Sequence, residues 1–330
     1  MPIVTSSFKT FFPFTNPHVS TVYRTLFTNP KVKYTRERID TPDGDFLDLD
    51  WSRSNSENLV ILLHGLEGSS DSKYVRSSVA VMNKSGMDCV ALNFRGCSGE
   101  TNRFFKAYHS GETEDLDFVL NYLIKNYNYA SISIVGFSMG GNVVLKYAGE
   151  QKEALHSKIN GIAAVCPPCD LKGSSAVLSK KSNRVYMKRF LRTLLKKTVE
   201  KSALFPDKKL DTETLKKAKD FQDFDNIFTA PSYGFKDAED YWKKASSKSF
   251  LKNIKTPCYV LSALNDPFLS DSCYPTEIAA KHKYIHLETP EFGGHIGYIN
   301  SWRSSKNTWC EEKIVFFLKE LNKTKTKEKK

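Results

Sequence analysis

No apolar run in the 330-residue chain approaches the roughly 18 residues expected of a membrane-spanning helix. Its opening stretch, MPIVTSSFKTFFPFTNPH, lacks the charged segment, long apolar segment and small-residue cleavage site of a secretory signal. A short amphipathic anchor at this end stays open. Cysteines are few, seven in all, odd in number and widely scattered. Cys89, Cys166 and Cys258 fall in apolar runs, where a thiol behaves as a small buried hydrophobe. A reduced, cytoplasmic protein is therefore expected in place of a disulfide scaffold. Cys166-Pro-Pro-Cys169 has the C-x-x-C form, but a zinc site would want a second ligand pair and a redox pair would want a thioredoxin-like context. Both are missing, and the segment reads as a strand end and its loop. There is no internal repeat and no low-complexity segment apart from the basic end LNKTKTKEKK, read as a solvated, disordered tail over about 322–330.

Hydrophobic residues make up 40% of the chain and aromatics 12%, enough to build a sizeable core. The net charge of +12 gathers in the tail and in residues 179–201. Within 179–201, Val185, Leu191, Leu194, Leu195 and Val199 recur at helical spacings among many Lys and Arg. Such a helix either packs its apolar side on its own protein or lies on an anionic membrane. No zinc-finger, basic-zipper or RNA-recognition signature accompanies the charge, so no nucleic-acid partner is expected. The sequence leaves the oligomeric state open.

Around TPDGD, VKYTRERI and FLDLDW alternate, and Asp43-Gly44 supplies a turn, so a β-hairpin is expected within an N-terminal extension of about 1–55. Continuous apolar runs follow: NLVILLHG, CVALNFRG, SISIVGFS, GIAAVCP, CYVLSAL and KYIHLE. Between them DSKYVRSSVAVMNKSG, ETEDLDFVLNYLIKNY, NVVLKYAGE and TEIAAKHK carry helical spacing. Strands apolar throughout and alternating with helices imply an α/β fold, a mostly parallel sheet of about eight strands covered on both faces. From Pro167 to Pro257 no strand appears. DAEDYWKKASSKSF can serve as the crossover helix, leaving about 171–235 as a helical cap inserted into a core of about 56–170 and 236–321. The whole chain thus reads as a single domain.

Chemistry enters at residues 134–141, IVGFSMGG. A strand precedes Gly136-Phe137-Ser138-Met139-Gly140 and a helix follows, the context of a nucleophile elbow. The serine of such a turn sits on strained backbone, and small neighbours make room where strand and helix crowd together. A hydroxyl needs a general base, and the base needs an orienting acid. Behind an elbow these follow in the order serine, acid, histidine. His18, His64 and His109 precede Ser138, His156 comes before an acid is expected, and His282 and His286 sit in a helix end and a strand. His295, in the glycine-rich loop TPEFGGHIGY, is left as the base. Asp266 in SALNDPFL follows a strand and is preferred as the acid, with Asp170 in CPPCDLK as its rival. The oxyanion donors expected are the N–H of Met139, next to the nucleophile, and that of Leu66 in VILLHGLEGSS. In that arrangement His64 shapes the hole and is not the base. The chemistry needs no metal and no organic cofactor.

Taken together, HGLEGSSDSKY, NFRGCSGETNR, YHSGETEDL, GFSMGGNVVLKY, ALNDPF and PEFGGHIGY resemble the YheT-like branch of the α/β-hydrolase superfamily, as do FFPFTNPHVSTVYRTL and TPDGDFLDLDW. The blocks stand in family order from about residue 10 to 300. The resemblance implies an α/β-hydrolase fold and a serine hydrolase with Ser138, Asp266 and His295 as its triad. It implies a small-molecule or lipid-like carboxylic ester as substrate, and some relatives pass the acyl group to an alcohol. Peripheral membrane contact through the basic helix, with or without catalysis, stays open beside it. The cap and the tail match the pattern least.

Overall fold

The computed structural model describes residues 2–328. Among these, nine strands form one sheet: β1 (Ile3–Val4), β2 (Thr35–Asp40), β3 (Phe46–Ser52), β4 (Asn58–Leu63), β5 (Asp88–Asn93), β6 (Ser131–Phe137), β7 (Ile159–Val165), β8 (Cys258–Leu261) and β9 (Ile285–Glu288). Their order is β1-β9-β8-β7-β6-β4-β5-β3-β2. Neighbours from β1 through β5 run parallel, and β3 and β2 join antiparallel at the far edge. Every residue of β5, β6 and β7 is buried, as strands with both faces covered require. The expected hairpin is β2–β3. Arg36 and Arg38 stand directly opposite Asp50 and Asp48, and each guanidinium bonds its partner carboxylate at 2.8 Å. The strand beyond the expected eight is β1, whose two residues carry no periodic signal; it pairs Ile3 with Leu287 and Val4 with Glu288.

Two helical layers cover the sheet. On one face α2 (Lys73–Lys84) and the C-terminal helix Trp309–Glu328 bury Val75, Val79, Met82, Ile314 and Leu318. On the other, α3 (Glu114–Asn126) and α4 (Met139–Gln151) bury Leu116, Leu120, Val143 and Val144. A further helix, α1 (Pro17–Phe27), precedes the hairpin. The C-terminal helix runs to Glu328 through most of the tail expected over about 322–330, and residues 329–330 lie outside those described.

Between β7 and β8 the chain forms α5 (Leu171–Leu178), α6 (Arg184–Leu204) and a series of short turns. Leu178, Met187, Leu191, Leu215, Phe224 and Phe228 build a core of their own, closed by Phe268 from beyond β8. The crossover helix is Ala238–Ala245, begun by the Asp237 carboxylate, which accepts the Asp240 N–H. In α6 the buried positions are Met187, Leu191, Thr198 and Lys201. Val185, expected on the apolar side, is 79% exposed, because it lies off the face set by Met187 and Leu191.

Candidate active site

Ser138 sits between the end of β6 and the first turn of α4 with φ 50° and ψ −120°. The strain is enforced by contact. A Cβ on Gly136 would lie 2.3 Å from Gly140 O, and one on Gly140 would lie 2.6 Å from both Leu63 O and His64 O. Strand, helix and the β4 loop therefore meet at a spacing that only glycine permits. The Ser138 N–H is anchored on Val165 O at 2.8 Å, which lifts the hydroxyl clear of the sheet end.

His295 Nε2 lies 2.9 Å from Ser138 Oγ, and its Nδ1 lies 2.8 Å from Asp266 Oδ2. The second oxygen of Asp266 accepts the Phe268 N–H at 2.8 Å, so both carboxylate oxygens are engaged. Phe268 lies against the imidazole, ring centroids 4.3 Å apart. Asp170, the rival acid, is spent elsewhere: it caps α5 through the Gly173 N–H and lies 3.6 Å from Lys248 Nζ.

The loop that carries His295 is held from a distance. Thr21 Oγ1 accepts the His295 N–H at 2.8 Å, and Ser20 Oγ donates to Gly293 O at 3.0 Å, both from α1. Asn265 Oδ1 accepts the Gly294 N–H at 3.0 Å, and its amide donates to Thr15 O at 3.1 Å. Gly294 has φ +59°, and a Cβ there would lie 2.5 Å from Pro17 O. These supports escaped the sequence reading. Asn265 could have been suspected as the neighbour of Asp266, whereas Thr21 and Ser20 stand some 270 positions from their partners and carry no local signal.

His64 is fully buried. It accepts the Phe94 N–H on Nε2 at 3.2 Å, leaving Nδ1–H to donate to Gly65 O at 2.8 Å. Burial lowers its pKa to about 4, so the ring is neutral and serves to hold the HGLEG loop. A Cβ on Gly65 would lie 3.1 Å from Ser138 Cβ, which shows how closely this loop approaches the serine. Leu66, Ser138, Met139 and His295 line a common cavity of about 550 Å³. Phe190, Leu194, Phe224 and Phe228 of the inserted helices line it, as do Arg95, Lys197 and Lys201. Lys197 Nζ reaches Glu67 Oε2 at 2.9 Å, tying α6 to the loop beside Leu66.

All seven cysteines are buried free thiols. Cys166 lies beside the pair: its Sγ and side-chain atoms of Asp266 and His295 fall within 4.8 Å of one another. Burial and the nearby Asp266 carboxylate push its thiol pKa well up, and its Sγ accepts the Ile296 N–H at 3.4 Å. Its place is that of a neutral packing group, with Asp266 and His295 engaged to each other.

The profile of the family described as alpha/beta hydrolase fold matches residues 58–300. The chain is 33% identical over 312 residues to the Escherichia coli (strain K12) protein named "Putative esterase YheT", covering 92% of this chain and 91% of that protein. It is 28% identical to Homo sapiens phospholipase ABHD3 (91% and 76% covered) and 31% identical to a Saccharomyces cerevisiae monoacylglycerol lipase (84% and 62% covered). Among solved structures, the Pyrococcus furiosus esterase Pf2001 superposes with a TM-score of 0.57 at 19% identity, covering 88% of this chain and 99% of that one. That likeness shows the fold.

Proposed function

The chain belongs to the α/β-hydrolase family, and from that premise we propose a serine carboxylesterase that works through an acyl-enzyme on Ser138. The observation that carries the proposal is the unbroken series Ser138 Oγ–His295–Asp266 at 2.9 and 2.8 Å, opening into a largely apolar cavity. His295 Nε2 takes the hydroxyl proton as Oγ attacks the ester carbonyl, and Asp266 holds the imidazole and stabilises its charged form. The Met139 and Leu66 N–H groups receive the oxyanion; each such donor is worth about 3 kcal/mol to the transition state. Collapse expels the alcohol, which takes its proton from His295. Water then repeats the sequence and frees the acid.

Two relatives are named for lipid substrates. Phe190, Leu194, Phe224 and Phe228 suit an acyl chain, so the substrate is a lipid-like ester. Activity-based labelling with a fluorophosphonate tests the reading. One label per chain is expected on the wild type, none on Ser138→Ala or His295→Ala, and full labelling on Asp170→Ala. A folded wild type that takes no label, or a Ser138→Ala variant that does, overturns it. Product analysis with a short alcohol present then separates hydrolysis from acyl transfer.

A further inference from the structure

Helix α1 is built inside out. Its buried residues are Ser20, Thr21 and Arg24, while Val19, Val22, Leu26 and Phe27 face outward. A surface helix normally does the reverse. The inward polar residues are occupied: Ser20 and Thr21 hold the His295 loop, and the Arg24 guanidinium donates to Asn307 O at 2.7 Å and pairs with Glu311. The outward apolar residues extend a wider patch. Phe12 is 84% exposed, Leu26 66%, Phe27 61% and Trp302 60%. Rings connect Phe27 to Trp302, with Tyr23 packed on Phe27 and on Phe14 at 4.8 Å and Phe14 on Trp302 at 4.7 Å. Contiguous exposed apolar surface of this kind marks an interaction site.

Charge indicates what covers it. Residues 1–36 contain no Asp or Glu and five Lys or Arg. Residues 171–199 likewise contain no Asp or Glu and nine Lys or Arg. The two acid-free stretches meet in space, where the Tyr186 ring of α6 stacks on His18 of α1 with centroids 5.7 Å apart. Beside that contact Lys181, Arg184 and Lys188 are exposed, as is Val185. Apolar side chains beside the exposed cations that open α6, with no carboxylate in either stretch, complement a negatively charged lipid surface. The patch also borders the cavity, since Tyr186 packs edge-on against Phe268 at 4.7 Å and Phe268 lies against His295.

We infer that the outer face of α1, with Phe12, Trp302 and the start of α6, docks the protein on an anionic lipid membrane. The inference stands apart from the esterase reading, because binding requires no chemistry at Ser138.

Co-sedimentation with phosphatidylcholine vesicles, with and without phosphatidylglycerol, tests it. Wild type and Ser138→Ala should bind the phosphatidylglycerol vesicles equally, and added salt should weaken both. Phe12→Ser/Leu26→Ser/Phe27→Ser should bind at least about tenfold more weakly. Lys181→Glu/Arg184→Glu/Lys188→Glu should lose the preference for phosphatidylglycerol. All these positions are exposed, and an unchanged circular dichroism spectrum and unfolding midpoint verify folding. The inference is overturned if wild type ignores both vesicles at low salt, binds them equally, or binds no better than the apolar triple variant. It is also overturned if the patch instead mediates self-association, seen as concentration-dependent sizing abolished by the same triple variant without vesicle binding.

Discussion

Ser138 and His295 are hydrogen-bond partners, yet they are put in place by opposite means. The serine is set by its immediate neighbours: Gly136 and Gly140, two positions to either side, admit the close approach that strains its backbone. The histidine is set by residues at the other end of the chain, Thr21 and Ser20 on α1, with Thr15 reached through Asn265. The local arrangement is compact and intolerant. The remote one is distributed over several hydrogen bonds, so single losses should degrade it by steps.

Gly140→Ala gives the largest expected effect. Its new Cβ would meet the backbone oxygens of Leu63 and His64 at 2.6 Å, where no flexible side chain can give way. The variant should lose roughly 1–3 kcal/mol or more of stability, read from the urea midpoint, together with fluorophosphonate labelling. An unchanged midpoint would mean that the elbow is not held by this contact. On the remote side, Thr21→Val keeps the shape and removes the acceptor of the His295 N–H. A fall of about tenfold in kcat with little change in KM is expected, and Thr21→Ser should restore most of it. An equal loss in both variants would show that packing, and not the hydrogen bond, positions the loop.

A third, smaller effect extends the comparison to the inserted helices. Asp225 is buried there, with Thr229 Oγ1 and Trp242 Nε1 donating to it at 2.7 and 2.8 Å. Burial raises its pKa from the usual 3.8 to about 7. A carboxyl that holds its proton more tightly when folded adds stability fully below pH 3.8 and loses it as pH rises through about 7. Asn at this position has no proton to lose. The difference in Tm between Asp225→Asn and wild type should therefore grow in favour of the variant from pH 4 to pH 7, and then level off. A flat difference would mean that Asp225 is ionised throughout.

The same division between local and remote decides what was legible in the sequence. The strands β4 to β9, the β2–β3 hairpin and the helices between them announce themselves through runs of consecutive residues, and they form at those places. Ser138 was legible because an elbow is a five-residue affair. His295 followed from chain order, an indirect argument that succeeds only when few histidines compete. Asp266 and Asp170 look alike in sequence, each just past a strand, and only the fold reveals that Asp170 caps α5 while Asp266 faces His295. Helix α1 shows the opposite case. Nothing in PHVSTVYRTLF declares that Ser20, Thr21 and Arg24 turn inward, because the groups they satisfy lie near residues 293–311. Likewise Thr198 and Lys201 lie on the buried face of α6, where the apolar pattern alone would not have put them.

The pairing of β1 with β9 bears on the order in which the protein is assembled. During synthesis a chain emerges N-terminus first, and its early segments ordinarily begin to fold as they appear. Here Ile3 waits for Leu287, and Thr21 waits for His295. Residues 3 and 21 thus find their places only once residues 287 and 295 have been made, and the long loop closed by their docking makes that step entropically costly. The nascent chain therefore carries Phe14, which is buried in the folded protein against Trp302, unshielded through nearly all of its synthesis. The hydrogen bonds that seat His295 form only when the two ends of the chain come together.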